Sequence, residues 1–462
     1  MRLVLLSGGS GKRLWPLSND TRSKQFLKVL DGPDGEKESM VQRVWRQLEA
    51  CGLASSAVIA TSESQKDLIK RQLGENVPLV MEPERRDTFA AVALAASYLF
   101  SVEKASPEEV IVMLPVDAFV DTSFFENFKL LERLIQEGTS DMALIGVKPV
   151  YPSTKYGYIV PGSRRKDTNA FVVEAFTEKP DEDRARELIE RQALWNCGVF
   201  GFTMAYLLGI LEEEGLPFEY ELLKSRYHTV PKTSFDYRVV EKAEKITVLQ
   251  YEGDWKDLGT WNTLTEEIAF SQTGKGIISE SSVNTHLVNE LDIPVAVIDA
   301  SNMVIVSSPD GIIVASKESS SQIKELIKDF RYPQMYEERL WGWSRVLDYA
   351  KYPDGQMMIT KRIQLEAGKN STLHYHHNRD EVWTVVRGEG EIAVDDHMYR
   401  IKAGDVVHLP AGTKHALRAT IDLEIVEVQT GIDISDDDTV RLHDTWDDVL
   451  RAHNGSAAKF IK

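Results

Sequence analysis

The sequence is poor in the features that mark several large classes of protein. Its 462 residues include two cysteines, Cys51 and Cys197, and no CxxC pair, which argues against a disulfide framework and a cysteine zinc site. No apolar run approaches the roughly 20 residues of a membrane-spanning helix. The net charge of -18 argues against nucleic acid and anionic membranes as partners. We therefore expect a soluble cytoplasmic protein without a signal peptide.

The chain is long enough for more than one core. It is 42% hydrophobic over 462 residues, which predicts two or three domains. Up to residue 265, helical patterns alternate with strand-like runs that are apolar on both faces, at 2–6, 57–61, 110–117 and 142–147. This alternation indicates an α/β domain with a mainly parallel sheet covered on both sides. The alanine-rich segment 87–100 predicts a helix, with Thr88 as its candidate cap.

The amino-acid composition of the chain changes near residue 275. β-Branched residues become frequent, "SPDG" predicts a hairpin turn, and "QIKELIKDF" (322–330) predicts a short amphipathic helix before Pro333. From 357 to 429, short strands separated by Gly and Pro turns predict a small β-barrel or sandwich. We therefore predict domains at 1–270 and 336–462, joined by a β-rich connector at 271–335.

The opening stretch "LVLLSGGSGKRLWPLS" has the layout of a phosphate-binding loop. Its glycines allow close approach of a polyanion to backbone N–H groups, and Lys12, Arg13 and Lys24 add positive charge. The P-loop pattern fails because Arg13 follows Lys12, and the dinucleotide fingerprint fails because Leu14 replaces its third glycine. From these residues alone, a triphosphate site and a plain strand-to-helix turn both stay open.

Eight segments, in one order, carry a family resemblance across nearly all of residues 1–265. They are "GGSGKRLWPLS" with "KQFL", "EPERRDT", "LPVD", "YGYI", "FTEKP", "LWNCGVFGF", "TSFDYRVVEK" and "DWKDLGTW". This series resembles the sugar-nucleotide pyrophosphorylases, and among them most of all the mannose-1-phosphate guanylyltransferases. The resemblance implies a Rossmann-like nucleotidyltransferase domain with a mixed, mainly parallel sheet. It also implies transfer of GMP from GTP to mannose 1-phosphate, giving GDP-mannose and pyrophosphate.

The resemblance also implies a role for particular residues. The triphosphate of GTP would be bound by Gly8, Gly9, Gly11, Lys12 and Arg13. Lys24 would lie against the reacting phosphoryl group, and Mg²⁺ would be held by Asp117 and Asp257. The catalytic set would then be Arg13, Lys24, Asp117 and Asp257. Mannose 1-phosphate would contact Tyr156, Gly157, Glu178, Lys179, Asn196 and Gly198.

The match has departures. Ser23 replaces a proline, Asp87 an asparagine, Ala118 a histidine and Cys197 a serine. The segment around Asp87 is expected near the base, so a different nucleoside triphosphate or sugar 1-phosphate is an alternative. A regulatory or scaffold protein with an inactive transferase half is another.

A second constellation lies near the C-terminus. His374 and His376 alternate on one strand, so they share a face, and Glu381 and His415 follow at fixed spacings from Gly and Pro residues. These two motifs resemble those of the cupin superfamily, an all-β double-stranded helix or jelly roll. Three imidazoles and one carboxylate form a site for a divalent metal, Zn²⁺ or similar. His377, His397 and His408 are interpreted as bystanders.

The C-terminal region also resembles the type II phosphomannose isomerase half of bacterial bifunctional enzymes, in "EERLWGW", "HYHHNRDEVW" and "EIVEVQTG". His374, Val382 and Ala416 depart from that pattern. Isomerisation of mannose 6-phosphate to fructose 6-phosphate needs a cation for the phosphate. The candidates for that cation are Arg379, Lys414 and Arg418. Isomerase activity and a structural or sugar-phosphate-sensing metal module both stay open, and an edge strand of the cupin leaves room for a homo-oligomer.

Overall fold

The computed structural model describes residues 1–9, 12–19, 21–165, 168–330, 332–432, 434–435, 438–453 and 460–461. The chain forms two compact units. The first comprises Met1–Val288, Val295–Val306 and Ile313–Leu326, and the second comprises Asn289–Pro294, Ser307–Ile312 and Ile327–Lys462. The three segments expected from the sequence, 1–270, 271–335 and 336–462, stay a prediction.

Short strands make up most of the sheet structure before residue 265. In chain order they are β1 (Arg2–Leu6), β2 (Leu30–Asp31), β3 (Lys37–Glu38), β4 (Ala57–Ser62), β5 (Leu79–Glu82), β6 (Val110–Pro115), β7 (Ala118–Val120), β8 (Met142–Val147), β9 (Tyr158–Arg164), β10 (Ala170–Thr177), β11 (Leu194–Thr203), β12 (Ile246–Tyr251) and β13 (Trp255–Asp257).

Helices connect these strands. They are α1 (Met40–Ala50), α2 (Lys66–Leu73), α3 (Asp87–Ser101), α4 (Ser123–Gln136), α5 (Glu182–Glu190), α6 (Met204–Glu213), α7 (Tyr220–Ser225), α8 (Phe235–Arg238) and α9 (Trp261–Thr265). Single turns of 3₁₀-helix lie at Lys12–Leu14, Lys24–Phe26, Ala54–Ser56, Glu63–Gln65, Tyr227–Thr229 and Val240–Lys242.

Within the described residues, nine strands form one mixed sheet in the order β5-β4-β1-β6-β11-β8-β12-β10-β9. The pairs from β5 to β6, and β8 with β12, are parallel. Strand β11 runs antiparallel between β6 and β8, and β9 and β10 extend the sheet as an antiparallel pair. The sheet is therefore mixed, as the family resemblance implied, although among the described residues four of its strand pairings are parallel and five antiparallel, so it is not mainly parallel. Its parallel part carries the opening loop.

The sheet is buried on both faces, as its doubly apolar strands predicted. Side chains of β1 alternate between two cores: Leu3 and Leu5 pack with α1 and α4, whereas Val4 packs with α3. Since both faces of these strands are excluded from water, helices are needed on both sides. The carboxyl ends of β1 and β6 are left as the edge where ligands of such sheets lie.

Helix α3 confirms the helix predicted over 87–100, but Thr88 as its cap is wrong. Arg86 occupies the cap position, and Thr88 lies inside the first turn. The Thr88 hydroxyl instead accepts a hydrogen bond of 2.8 Å from the backbone N–H of Phe235. Thr88 therefore fixes the start of α8 against α3.

The connector consists of short strands and a short helix. They are β14 (Gln272–Gly274), β15 (Gly276–Ile278), β16 (His286–Asn289), β17 (Val295–Val297), β18 (Met303–Ser308), β19 (Gly311–Ser316) and α10 (Ile323–Leu326). The "SPDG" hairpin is confirmed, since β18 and β19 pair across it. The predicted helix is shorter than expected, because a 3₁₀ turn at Glu318–Gln322 extends to the first predicted residue and α10 already ends at Leu326, where a turn over 327–329 follows.

The C-terminal unit is rich in strands, as predicted. They are β20 (Tyr336–Arg339), β21 (Gly342–Lys351), β22 (Gln356–Leu365), β23 (Leu373–His376), β24 (Arg379–Arg387), β25 (Glu389–Val394), β26 (His397–Lys402), β27 (Val406–Leu409), β28 (His415–Ala419), β29 (Leu423–Ile432), β30 (Thr439–His443) and β31 (Phe460–Ile461). Helix α11 covers Trp446–His453.

These strands form two facing sheets, β20-β21-β22-β29-β24-β27 and β30-β23-β28-β25-β26-β31. Trp383, Val385 and Leu423 of the first sheet share one core with Ile392 and Leu417 of the second. The unit is thus a sandwich with an interior between its two sheets. In the described part of the chain, no helix is both long and apolar enough to cross a membrane.

Candidate active site and metal centre

Two aspartates are brought together by a small sheet next to the large one. Asp117 follows β6, and β7 begins one residue later. Strand β13 pairs antiparallel with β7, which places Asp257 directly opposite Ala118. The two carboxylates, far apart in sequence, therefore become neighbours at the carboxyl edge of the sheet.

Lys24 lies between these carboxylates. Its Nζ is 2.6 Å from Asp117 Oδ2 and 3.2 Å from Asp257 Oδ1. Burial lowers the pKa of Lys24, but the two carboxylates outweigh that effect and raise the pKa above its ordinary value. Both carboxylates direct a hard oxygen donor at the point that the lysine ammonium now occupies, and such donors fit Mg²⁺. The structure thus brings Lys24, Asp117 and Asp257 together, while their catalytic roles stay a prediction.

Gly259 supports this trio and was missed by sequence reasoning. A Cβ at Gly259 would lie 2.8 Å from Asp257 Oδ1 and 3.2 Å from Lys24 Nζ. The first distance is shorter than real Cβ contacts, and the second is tight. The glycine after "DWKDL" is therefore required for the position of the Asp257 carboxylate.

A cleft of about 190 Å³ opens beside the aspartates. Its lining combines both aspartates with most of the expected sugar-phosphate residues: Pro115, Asp117, Ala118, Lys155, Tyr156, Gly157, Glu178, Asn196, Cys197, Gly198, Asp236, Trp255 and Asp257. Gly198 lies at a break in strand register and has a φ of 71°, a conformation that favours glycine. The structure thus gathers residues of six separate segments around one cleft.

Asp236 lines the cleft and was not singled out from the sequence. Asn196 Nδ2 donates to Asp236 Oδ1 at 2.8 Å, and Asn196 Oδ1 accepts from the N–H of Gly198 at 3.0 Å. Burial, followed by the charge of Glu178, raises the pKa of Asp236 to about 6. Its position inside "TSFDYR", one of the family-like segments, was the signal that could have identified it.

Glu178 and Lys179 take different positions at the rim of the cleft. The side chain of Glu178 is 6% exposed, and its Oε2 has no hydrogen-bond partner among the residues described. Lys179 is half exposed and forms an ion pair with Glu178 Oε1. Glu178 therefore offers an unsatisfied acceptor for a hydroxyl group, and Lys179 offers charge at the entrance.

The opening loop lies at the end of β1. Gly9 is exposed, and a Cβ there would meet nothing within 4 Å. Lys12 and Arg13 belong to a 3₁₀ turn, with Arg13 exposed. Burial and Asp257 raise the pKa of Tyr156, while the Arg13 charge opposes them, which indicates that Arg13 lies near the cleft. Gly11 lies outside the described residues.

Two departures from the family pattern have a structural explanation. Ser23, in place of proline, is buried, and its hydroxyl accepts 2.7 Å from Gln65 Nε2, which also contacts Gly9 O. Asp87 has a φ of 69°, a left-handed conformation that aspartate and asparagine tolerate better than most residues. Ser23 also has a φ of -68°, a value that proline adopts, so both positions have a backbone conformation that the family residue could take.

Glu82 is a buried acid under the opening loop. Its Oε2 accepts 2.6 Å from the hydroxyl of Tyr227, and a Cβ at Gly8 would lie 2.8 Å from its Oε1. Burial raises the pKa of Glu82, an effect that the Tyr227 bond opposes. Gly8 is thus needed because the Glu82 carboxylate occupies the adjacent space.

The second site lies between the two sheets of the C-terminal sandwich. Ligand atoms of His374, His376 and His415 all lie within 4.8 Å of one another. Glu381 reaches them from the opposite sheet, with Oε1 3.1 Å from His376 Nε2 and Oε2 3.4 Å from His415 Nε2. The structure therefore brings together all four residues predicted as metal ligands.

The hydrogen bonds of this cluster fit a bound cation. Nδ1 of His374 lies 2.8 Å from Thr372 O, and Nδ1 of His415 lies 2.9 Å from Thr413 O. Since a carbonyl only accepts, each Nδ1 must carry a proton, which leaves Nε2 as the atom of each ring that a metal would bind. His415 Nε2 lies 3.4 Å from Glu381 Oε2 and has no hydrogen bond within the described residues. A divalent metal bound by both atoms would satisfy them.

Further polar groups surround Glu381. Trp383 Nε1 donates to Glu381 Oε2 at 3.0 Å and to Glu427 Oε1 at 2.9 Å. Gln429 Nε2 donates to both carboxylates, at 2.9 Å and 3.0 Å. Burial and the charge of Glu381 raise the pKa of Glu427 to about 8, although Lys361 opposes them. Glu381, the predicted metal ligand, is therefore held in a defined orientation.

The structure does not support Arg379 or Arg418 as the cation that binds the sugar phosphate. Arg379 is buried, and its Nε donates to Asp438 Oδ2 at 3.2 Å, so its charge is already neutralised. Arg418 follows Leu417, whose side chain lies in the core between the sheets, so the Arg418 side chain points to the outer face of β28. There it lies over the ring of Trp446. Lys414 is exposed in the turn before His415.

The fold and sites define a nucleotidyltransferase-type α/β unit joined in one chain to a β-sandwich with a cluster of side chains that could hold a metal ion. A family model described as nucleotidyl transferase matches residues 2–274, and one described as mannose-6-phosphate isomerase C-terminal matches residues 332–444. Since the first match spans more than half of the chain, the chain belongs to the nucleotidyl transferase family.

Curated relatives match nearly the whole chain. The xanthan biosynthesis protein XanB of Xanthomonas campestris pv. campestris is 29% identical over 96% of this chain and 98% of its own length. A mannose-1-phosphate guanylyltransferase of Sinorhizobium fredii is 27% identical, with coverages of 96% and 90%. The crystal structure of a mannose-1-phosphate geranyltransferase from Thermus thermophilus covers 71% of this chain and 98% of its own, with a TM-score of 0.61 and 28% identity.

Proposed function

We propose that the first unit transfers GMP from GTP to mannose 1-phosphate, giving GDP-mannose and pyrophosphate. The observation that carries this proposal is the cleft where Lys24 joins Asp117 and Asp257 beside Tyr156, Glu178 and Asn196. Relatives that match nearly the full chain include a mannose-1-phosphate guanylyltransferase. The charged substrates also fit a cytoplasmic location.

The chemistry requires positioning and charge more than a protein nucleophile. A phosphate oxygen of mannose 1-phosphate attacks the α-phosphorus of GTP in line, and the bond from that phosphorus to the bridging oxygen of pyrophosphate breaks. Lys24 stabilises charge on the α-phosphoryl group, and Arg13 neutralises the departing phosphates. Asp117 and Asp257 are the residues that would hold Mg²⁺, which supplies further charge neutralisation when bound.

Guanine is the base that the acceptor at Glu82 fits. Its buried carboxylate is fixed by Tyr227 next to Gly8, at the loop where the nucleotide is expected. A carboxylate accepts from the N1–H and exocyclic amino group of guanine, whereas adenine offers no donor at N1. In Glu82→Gln, the kcat/KM ratio of GTP over ATP should therefore fall. An unchanged ratio would remove Glu82 from base recognition.

The direct test is a substrate panel with the full-length chain and Mg²⁺. GTP with mannose 1-phosphate should give the highest kcat/KM among nucleoside triphosphates and sugar 1-phosphates, measured as pyrophosphate release. A different preferred pair would support the alternative of another nucleotidyltransferase specificity. No release with any pair would support a regulatory or scaffold role.

A second candidate function is metal-dependent isomerisation of mannose 6-phosphate and fructose 6-phosphate in the cupin. The convergence of His374, His376, His415 and Glu381 favours it. A metal such as Zn²⁺ held there would stabilise an enediolate when bound. The full-length chain, loaded with different divalent metals, should form fructose 6-phosphate, and His374→Ala should not. Metal binding without turnover would instead support a structural or sensing module.

A further inference from the structure

A lysine faces the interior of the metal-binding sandwich. Along β22, Ile359 and Leu365 are buried between the sheets, and Ile363 packs against the same core. Side chains of a strand alternate between its faces, so Lys361 shares their inward face. A charged residue at an inward position is costly unless it is paired or has a ligand.

The strand register relates Lys361 to the metal ligands. Lys361 is directly opposite Glu427 of β29, and Glu427 is directly opposite Trp383 of β24. Residues opposite one another in antiparallel strands share a face, and Trp383 is two positions from Glu381. Lys361 and Glu381 therefore face the same interior from strands that are two spacings, about 10 Å, apart.

The ammonium group of Lys361 has no direct contact partner among the residues that the structure describes. Lys361 is half-buried, and no hydrogen bond or ion pair joins it to any residue that the structure describes. Its positive charge acts on the Glu427 carboxyl and opposes the rise of that pKa. The Trp383 indole donates to Glu427 and also to Glu381. By contrast, Arg379 is neutralised by Asp438.

We infer that Lys361 binds the phosphate group of a small phosphorylated ligand whose other end lies at the His374, His376, His415 and Glu381 cluster. The ammonium group is a compact point charge suited to phosphate, and the metal cluster suits hydroxyl or carbonyl oxygens. A sugar phosphate has both kinds of group at opposite ends. The choice of mannose 6-phosphate as that ligand rests on the isomerase function proposed above.

Calorimetric titration of the full-length, Zn²⁺-loaded chain with mannose 6-phosphate tests this inference. The matched control is Arg418→Met, which removes a cation from the outer face of the same sandwich. Lys361→Met should weaken binding about tenfold to a hundredfold, the range for loss of one charge-assisted hydrogen bond, whereas Arg418→Met should bind like wild type. Binding that persists in the double variant His374→Ala/Lys361→Met belongs to the other unit and is subtracted.

Further measurements distinguish the loss of the Lys361 charge from a loss of folding. Lys361→Arg should keep most of the affinity, and mannose, which lacks the phosphate, should bind wild type and Lys361→Met alike. Equal affinity of wild type and Lys361→Met for mannose 6-phosphate would overturn the inference, even with a lowered melting temperature. So would a wild type that binds neither mannose 6-phosphate nor inorganic phosphate. Binding that depends on Lys361 without formation of fructose 6-phosphate would support Lys361 and refute isomerisation.

Discussion

At the scale of single residues, Lys24 holds a position between two carboxylates that a magnesium ion would also take. Its Nζ contacts Asp117 Oδ2 and Asp257 Oδ1. Mg²⁺ binding without nucleotide must therefore compete with an ammonium group. With GTP present, the α-phosphate offers Lys24 another anionic partner, so that metal and lysine can both be accommodated.

Lys24→Met should thus have two opposite effects. Pyrophosphate release should fall about a hundredfold to a thousandfold, the range for loss of a preorganised charge donor. Binding of Mn²⁺ without nucleotide, followed by electron paramagnetic resonance, should become tighter. The exposed Lys148 provides a control, because Lys148→Met should change neither quantity. Turnover near normal, or weaker Mn²⁺ binding, would contradict the placement.

Asp236 gives a prediction about pH. Burial and Glu178 raise its pKa to about 6 in the folded chain, from an ordinary value of 3.8. The folded state thus holds this proton more tightly than the unfolded state does, so the stabilisation is present below the ordinary value and is lost as pH rises through about 6. Between pH 5 and pH 7 the loss from this group should be about 1 kcal/mol.

In Asp236→Asn this part of the pH dependence should disappear, while the hydrogen bond with Asn196 can be kept. Denaturant unfolding of wild type and variant at pH 5, 6 and 7 measures the difference. Parallel pH profiles for the two proteins would show that Asp236 has an ordinary pKa in the folded chain.

At the scale of elements, the short β7–β13 pair and the segment that follows it set the geometry of the acids. A Cβ at Gly259 would collide with Asp257, so Gly259→Ala should displace that carboxylate. A displacement of about 1 Å at a reacting centre can cost about a hundredfold in rate. The shift needed here is smaller, so pyrophosphate release by Gly259→Ala should fall by about tenfold to a hundredfold.

Gly209 in α6 is the matched control, since a Cβ there meets nothing within 4 Å. Gly209→Ala should retain full activity and gain about 0.5–1 kcal/mol of stability from its helical position. Full activity of Gly259→Ala would show that the Asp257 carboxylate does not need its present position.

The sequence predicted elements well where burial alone determines them. The runs at 2–6 and 142–147 became β1 and β8 because both faces of each are covered. The antiparallel insertion of β11 between β6 and β8 was not predicted, since strand order depends on long-range packing that local pattern does not encode. Thr88 failed as a cap because its hydroxyl is used by Phe235 in a distant segment.

For the sites, spacing predicted that His374, His376, Glu381 and His415 lie together, and the structure brings them together because they lie on strands whose alternation is regular. Sequence reasoning missed Lys361. In "MITKRIQL" the alternate residues that face inward are Ile359, Lys361, Ile363 and Leu365. A lysine inside that alternation was a readable signal. The convergence of Lys24 with Asp257, 233 residues away, came from the family resemblance, since no local pattern connects them.

At the scale of the whole molecule, the two compact units predict two separable stabilities. A ligand stabilises only the unit to which it binds, by RT ln(1 + [L]/Kd), or about 2.7 kcal/mol at a hundredfold excess over Kd. Zn²⁺ bound at His374, His376, His415 and Glu381 should therefore raise the unfolding temperature of one calorimetric transition and leave the other in place. Chelation should reverse this shift, and His374→Ala should abolish it.

Pyrophosphate release with Mg²⁺ should be the same in His374→Ala and wild type, because the transferase acids lie in the other unit. If His374→Ala lost both the Zn²⁺ shift and the transferase activity, the two units would have to be treated as one cooperative system.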